Sequence, residues 1–167
     1  MLTIFFRKVN MKKLIHAVAL TLTVASLSSA AYGSTTMKTS RFPEIVGAVQ
    51  FPEKKAKVVR HSFQLKIPQD SRALSQMTIA VPQGLTVRND INLSDQSGQK
   101  IAANITVNDR TITIAFPQQV VPGTELNIDL NRVLISGTSN AWLYPVSVRL
   151  VGLNADIPVG VFRLRIY

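Results

Sequence analysis

The chain has 167 residues, with 19 lysines and arginines against 9 aspartates and glutamates, a formal charge of +10, and no cysteine. That length suits a single domain with a real core. The missing thiols exclude disulfide staples, thiolate zinc sites and a lipid-modified cysteine behind a leader.

Met11-Lys12-Lys13 forms a positively charged start. Leu14 to Leu27 is apolar apart from a few polar residues such as Thr21 and Thr23, and the residues from Ser28 to Gly33 are small except for Tyr32. This order predicts a secretory signal peptide over residues 1–33, cleaved after Gly33. The apolar run falls short of the roughly 20 residues that span a bilayer. Residues before Met11 read as an upstream extension or a second start. Removing the leader takes Arg7, Lys8, Lys12 and Lys13 with it and leaves 15 basic residues (19 − 4) against 9 acidic, a net +6. Much of the charge therefore serves targeting, and no nucleic-acid partner is expected. The export route predicts the periplasm or cell surface, with the thylakoid lumen as a third destination.

Residues 34–57 read as an irregular lead-in. Ile45, Val46, Ala48, Val49 and Phe51 are expected along a sandwich edge. Glu53-Lys54-Lys55-Ala56-Lys57 is a charge run, readable as a solvated loop or as a contact for an anionic headgroup or acidic polysaccharide.

Residues 58–167 are expected to form the domain. Val58 to Ile67 alternates, with Val59, His61, Phe63, Leu65 and Ile67 on one face, the mark of a half-buried strand. Met77, Ile79 and Val81 repeat the pattern until Pro82-Gln83-Gly84 turns the chain. Short strand pieces follow at Leu85 to Val87 and Ile91 to Leu93. Ile101 to Val107 meets Thr111 to Phe116 across Asn108-Asp109-Arg110 as a hairpin. Ile112, Ile114 and Phe116 share one face, as do Leu126, Ile128 and Leu130 after the Pro122-Gly123 turn. Ser136 to Asn140 is a polar loop. Trp142 to Val151 is a strand in which Pro145 argues for an edge or a bulge. Val159 to Tyr167 closes the chain, with Phe162, Leu164 and Ile166 inward. Seven to eight short strands without a helical period predict an all-β fold, a single antiparallel β-sandwich, loosely immunoglobulin-like.

Phe63-Gln-Leu-Lys-Ile-Pro68, Leu74-Ser-Gln-Met-Thr-Ile79, Ile114-Ala-Phe-Pro117, Val121-Pro-Gly-Thr124, Trp142-Leu-Tyr144 and Phe162-Arg-Leu-Arg-Ile-Tyr167 stand in a familiar order. With these the chain resembles the cyanobacterial exported family catalogued as domain of unknown function 2808, from about Arg41 to Tyr167. That family often has Tyr-Leu-Phe at 142–144, glycines at 161–162 and a histidine at 165. The resemblance implies export and an all-β domain, and no known activity.

Chemistry-bearing residues are sparse. His61 shares parity with Phe63 and Leu65, so it is expected at the end of a core face. Glu125 and Asp129 lie two pleats apart, roughly 13 Å by strand rise, too far for glycosidase carboxylates at about 5–10 Å. Asp90, Asn92, Ser94 and Asp95 are rich in oxygen but lack the glycine and distal glutamate of a calcium loop. No catalytic residue, metal or cofactor is expected. The candidate binding residues are Trp142, Tyr144, Arg163, Arg165 and Tyr167, which would form one aromatic and guanidinium patch if the last two strands pair. The reading is a non-enzymatic envelope module that binds a protein or a glycan. A hydrolase of envelope polysaccharide or peptidoglycan, and a structural surface or pilus-associated component, stay open as alternatives.

Overall fold

The computed structural model describes residues 41–166; the expected signal peptide and Tyr167 lie outside them. The described residues are all β. They form ten strands: β1 (Glu44–Phe51), β2 (Val58–Lys66), β3 (Leu74–Ala80), β4 (Leu85–Thr86), β5 (Ile91–Ser94), β6 (Asn104–Asn108), β7 (Thr111–Val120), β8 (Glu125–Ile135), β9 (Ala141–Leu150) and β10 (Ile157–Arg165). Every pairing is antiparallel. One sheet runs β1-β2-β8, with β4 and β5 both pairing with β8; the other runs β10-β9-β3-β7-β6.

The alternating faces become the core. Phe63, Leu65, Met77, Ile79, Ile112, Ile114, Leu126, Ile128 and Leu130 are fully buried, because a strand with one oily face buries it only by stacking against another sheet. An aromatic cluster ties the layers together. The rings of Phe63 on β2 and Phe162 on β10 stack 4.4 Å apart at 7°, and Tyr144 on β9 meets Phe63 edge-on at 5.0 Å. Burying each phenylalanine is worth roughly 1.5–3 kcal/mol.

Four details depart from the sequence reading. The lead-in supplies a full edge strand: β1 pairs with β2 from Glu44↔Lys66 to Phe51↔Arg60. Pro122-Gly123 turns the chain from one sheet to the other, so β7 and β8 are not a hairpin. Gly123 takes φ +85° there, and Ile67 clamps the corner by accepting from its N–H and donating to the Thr124 carbonyl, both at 2.8 Å. β9 is interior, between β10 and β3. Pro145 pairs with Val161, while the β3 ladder ends one residue later at Ile79↔Val146, so its missing N–H falls where β9 has a neighbour on one side only. Finally, β8 loses its alternation after Leu130. Arg132 adopts φ +50° in a bulge, and Val133 rather than Arg132 continues the pattern, turning inward. Asp90 holds this bulge, accepting from Arg132 at 2.8 Å and from Asn131 at 3.3 Å.

Candidate functional site

The last two strands do pair, and the register decides the predicted patch. Tyr144 lies opposite Phe162 and Trp142 opposite Leu164. Partners across a ladder share a face, so both aromatics point into the core with Val146, Val148 and Leu150. Arg163 and Arg165 sit on the other face, opposite Leu143 and Ala141, and are exposed. The expected aromatic and guanidinium surface is therefore split by the sheet itself. Trp142 lies beneath two glycines: its ring is 3.4 Å from where a β-carbon on Gly84 or Gly137 would stand. Its indole N–H is buried without an acceptor among the described residues.

The other residues singled out by sequence have structural partners. Glu125 and Asp129 lie on the outer face of β8, where the Ser62 hydroxyl donates to Asp129. Asp95 folds its own turn: its carboxylate accepts from the Ser97 hydroxyl and from the backbone N–H groups of Ser97 and Gln99. The Ser97 hydroxyl leads the causes that hold its pKa below the usual carboxylate value. No group of three metal-ligating side chains occurs among the described residues.

His61 is sealed. Its Nδ1 lies 2.7 Å from the Tyr144 hydroxyl and its Nε2 lies 3.0 Å from Gln50 Oε1. Gln50 Nε2 donates to the carbonyls of Pro52 (3.1 Å) and Lys54 (3.2 Å), which orients the amide. Gln50 Oε1 must then accept, so His61 carries its proton on Nε2 and accepts from Tyr144 on Nδ1. Burial pushes the imidazole pKa down to about 4 and pushes the Tyr144 hydroxyl up. A neutral ring with both nitrogens occupied is a structural element.

The open chemistry lies at one end of the sandwich. The β1–β2 loop, the end of β8, the β8–β9 loop and the end of β10 enclose a cleft of about 630 Å³, within the roughly 300–1,000 Å³ of small-ligand sites. Lys55 and Lys57 line one side, Thr138, Ser139 and Asn140 the other, with Ile135 and Ile166 as apolar floor. Backbone bonds fix the walls: Ile135 donates to the Lys57 carbonyl (2.9 Å) and Ile166 to the Asn140 carbonyl (3.0 Å). Among the described residues, no carboxylate lines this cleft. A second groove of about 290 Å³ runs between β1 and β10, where Arg163 and Arg165 face a single carboxylate, Glu53. None of these four cations is ion-paired among the described residues. Sequence reading found the lysine run and the polar loop separately. Their meeting depends on the placement of loops some eighty residues apart, which leaves no local signal.

The model of a family described as protein of unknown function, DUF2808, matches residues 35–163. The chain belongs to that family. No curated protein matches the chain. Among solved structures, this DUF2808 chain is similar to the N-terminal domain of a Streptococcus gordonii adhesin, with TM-score 0.54 and 14% identity over 78% of this chain and 33% of that one. It is also similar to the major pilin subunit of Bacillus cereus, with TM-score 0.52 and 8% identity over 74% and 40%. A collagen-binding domain from a Staphylococcus aureus adhesin gives TM-score 0.47 and 15% identity over 75% and 98%. The DUF2808 chain thus spans about a third to two fifths of the first two chains. At these identities the likeness is one of fold.

Proposed function

We propose that the chain is an exported, non-enzymatic binding module of the cell envelope that takes an acidic glycan into the cleft at the end of its sandwich. The observation that carries this reading is the lining of that cleft: two lysines opposite hydroxyl and amide side chains, with neither an ion pair nor a lining carboxylate among the described residues. Ammonium groups attract carboxylate or sulfate, while Thr138 and Asn140 suit sugar hydroxyls. The Ser139 hydroxyl donates to the Ala141 carbonyl and accepts from its N–H, which holds the loop. A concave cleft with polar walls favours a saccharide chain over a flat lipid surface. Lysines and hydroxyls without a positioned acid–base pair support binding rather than bond cleavage. The leader expected at residues 1–33 and the adhesin-like and pilin-like folds of the structural relatives agree with work outside the cytoplasm.

Trp142 is the only tryptophan in the chain and lies under Gly137 in the cleft wall, so its emission reports occupancy. Titration with an oligogalacturonate should give saturable quenching that weakens with added salt and is lost in Lys55→Gln/Lys57→Gln. A neutral maltodextrin of equal length should leave the signal unchanged. Equal binding of the neutral chain, full binding by the double variant, or preference for anionic-lipid vesicles would overturn the assignment.

A further inference from the structure

We propose that the buried Gln50–His61–Tyr144 chain positions the lysine loop, so that the grip of the cleft on an anionic ligand is set from inside the core. The inference rests on the cleft reading above.

Pro52 to Lys57 connects β1 to β2 and carries Lys55 and Lys57. Three hydrogen bonds tie this loop to the body among the described residues. Ile135 N–H reaches the Lys57 carbonyl at the far end. The other two come from one amide group, Gln50 Nε2, which donates to the Pro52 and Lys54 carbonyls. Gln50 is itself only 3% exposed, and its Oε1 is held by His61, whose other nitrogen is held by Tyr144 on the opposite sheet. The line therefore runs from β9, through β2, to β1 and out to the carbonyl just before Lys55. Each member fixes the next one's orientation: Tyr144 donates, His61 accepts and donates, Gln50 accepts and donates twice. No member can change role without leaving a buried polar atom unpaired.

The same line gives the loop a response to acid. A proton added to His61 goes to Nδ1, which must then donate to the Tyr144 oxygen. Tyr144 has to turn its own hydrogen away from the ring into the core. Nothing nearby compensates the charge. Tyr144 is the one titratable side chain facing His61 from β9. Glu53 lies on the exposed loop after Gln50 and Glu44 at the far end of β1, Arg60 and Lys66 lie on the outer face of β2, and Asp129 and Arg132 on that of β8. Arg163 and Arg165 lie on the outer face of β10, while its inner face offers Phe162. Protonation thus breaks the Tyr144–His61 donor order and leaves a charge in the core. Nε2–H still donates to Gln50, so the ring, drawn off its seat, carries Gln50 and the loop with it.

Gln50→Glu separates positioning from packing. The isosteric carboxylate still accepts from His61 but donates to neither carbonyl. The Ile135 amide, which donates to the Lys57 carbonyl, reads the loop: its hydrogen exchange should speed up about tenfold, while exchange at Ile112 and Ile114 stays as in the unaltered chain. Affinity for a sulfated maltotetraose should fall by a similar factor. Tyr144→Phe, which keeps the ring, should show a smaller rise in loop exchange. Because sulfate esters stay ionised at pH 4, affinity for this probe should drop between pH 6 and pH 4 in the unaltered chain and stay level in His61→Gln. Unchanged loop exchange in Gln50→Glu would overturn the proposal whether or not the probe binds. Full affinity in Gln50→Glu, beside lost affinity in Lys55→Gln/Lys57→Gln, would overturn it while leaving the cleft in place.

Discussion

Acid should destabilise the fold through His61 in a defined pH window. The ring is wholly buried, and burial lowers its pKa from 6.5 to about 4. The unfolded chain takes up its proton first as pH falls, so stability is complete above about 6.5. It is lost progressively from 6.5 towards 4 and levels off below that. A difference of about 2.5 pH units at 1.36 kcal/mol each gives roughly 3 kcal/mol, a large share of the roughly 5–15 kcal/mol that holds a domain together. Urea unfolding of the protein at half-unit steps from pH 7.5 to 4, beside His61→Gln, isolates this contribution. Carboxylates affect both chains alike, and only the difference between the two curves belongs to the ring. The difference should shrink by about 3 kcal/mol across the window, and the His61 ring signals should show the Nε2–H tautomer throughout the neutral range. Parallel stability curves, or a His61 titration near 6.5, would refute the reasoning.

Phe162→Ala removes one partner of the 4.4 Å stack and leaves a hole beside Phe63 and Tyr144; it should cost about 3–5 kcal/mol in denaturant unfolding, and a loss under 1 would contradict the packing described. Asp90→Ala frees Asn131 and Arg132 at the β8 bulge and should cost about 1 kcal/mol. Because the Arg132–Asp90 pair is largely exposed, that cost should persist in 0.5 M salt, and its disappearance there would assign it to the ion pair instead. Gly84→Ala puts a β-carbon 3.2 Å from Gly137 at φ +85°. It should destabilise by about 1–2 kcal/mol and shift Trp142 emission, and an unchanged spectrum would deny the close approach.

The two-layer body was legible because alternation survives any choice of strand order. Phe63, Ile114 and Ile128 had to share a core wherever their strands lay. Trp142 and Tyr144 were misplaced although the signal was present, since Val146, Val148 and Leu150 continue their parity and Ser147 and Arg149 the opposite one. Their residue types suggested a surface, and the register overruled the types. Pro145 hinted at an edge that the β3 ladder, by ending just short of it, made unnecessary. The Arg132 bulge has no glycine to announce it, and Asp90, which holds it, lies forty-two residues away. The cleft was legible only in halves, because charge and hydroxyl content are local while the meeting of loops is a property of the whole sandwich.

Backbone amide shifts of the protein during titration with an oligogalacturonate test the central claim most directly. Saturating shifts should gather at residues 55–57 and 137–140 and at Ile166, with smaller ones at Arg163 and Arg165. Shifts centred instead on the outer face of the first sheet, around Gln64 and Asn127, or none at millimolar sugar, would contradict it.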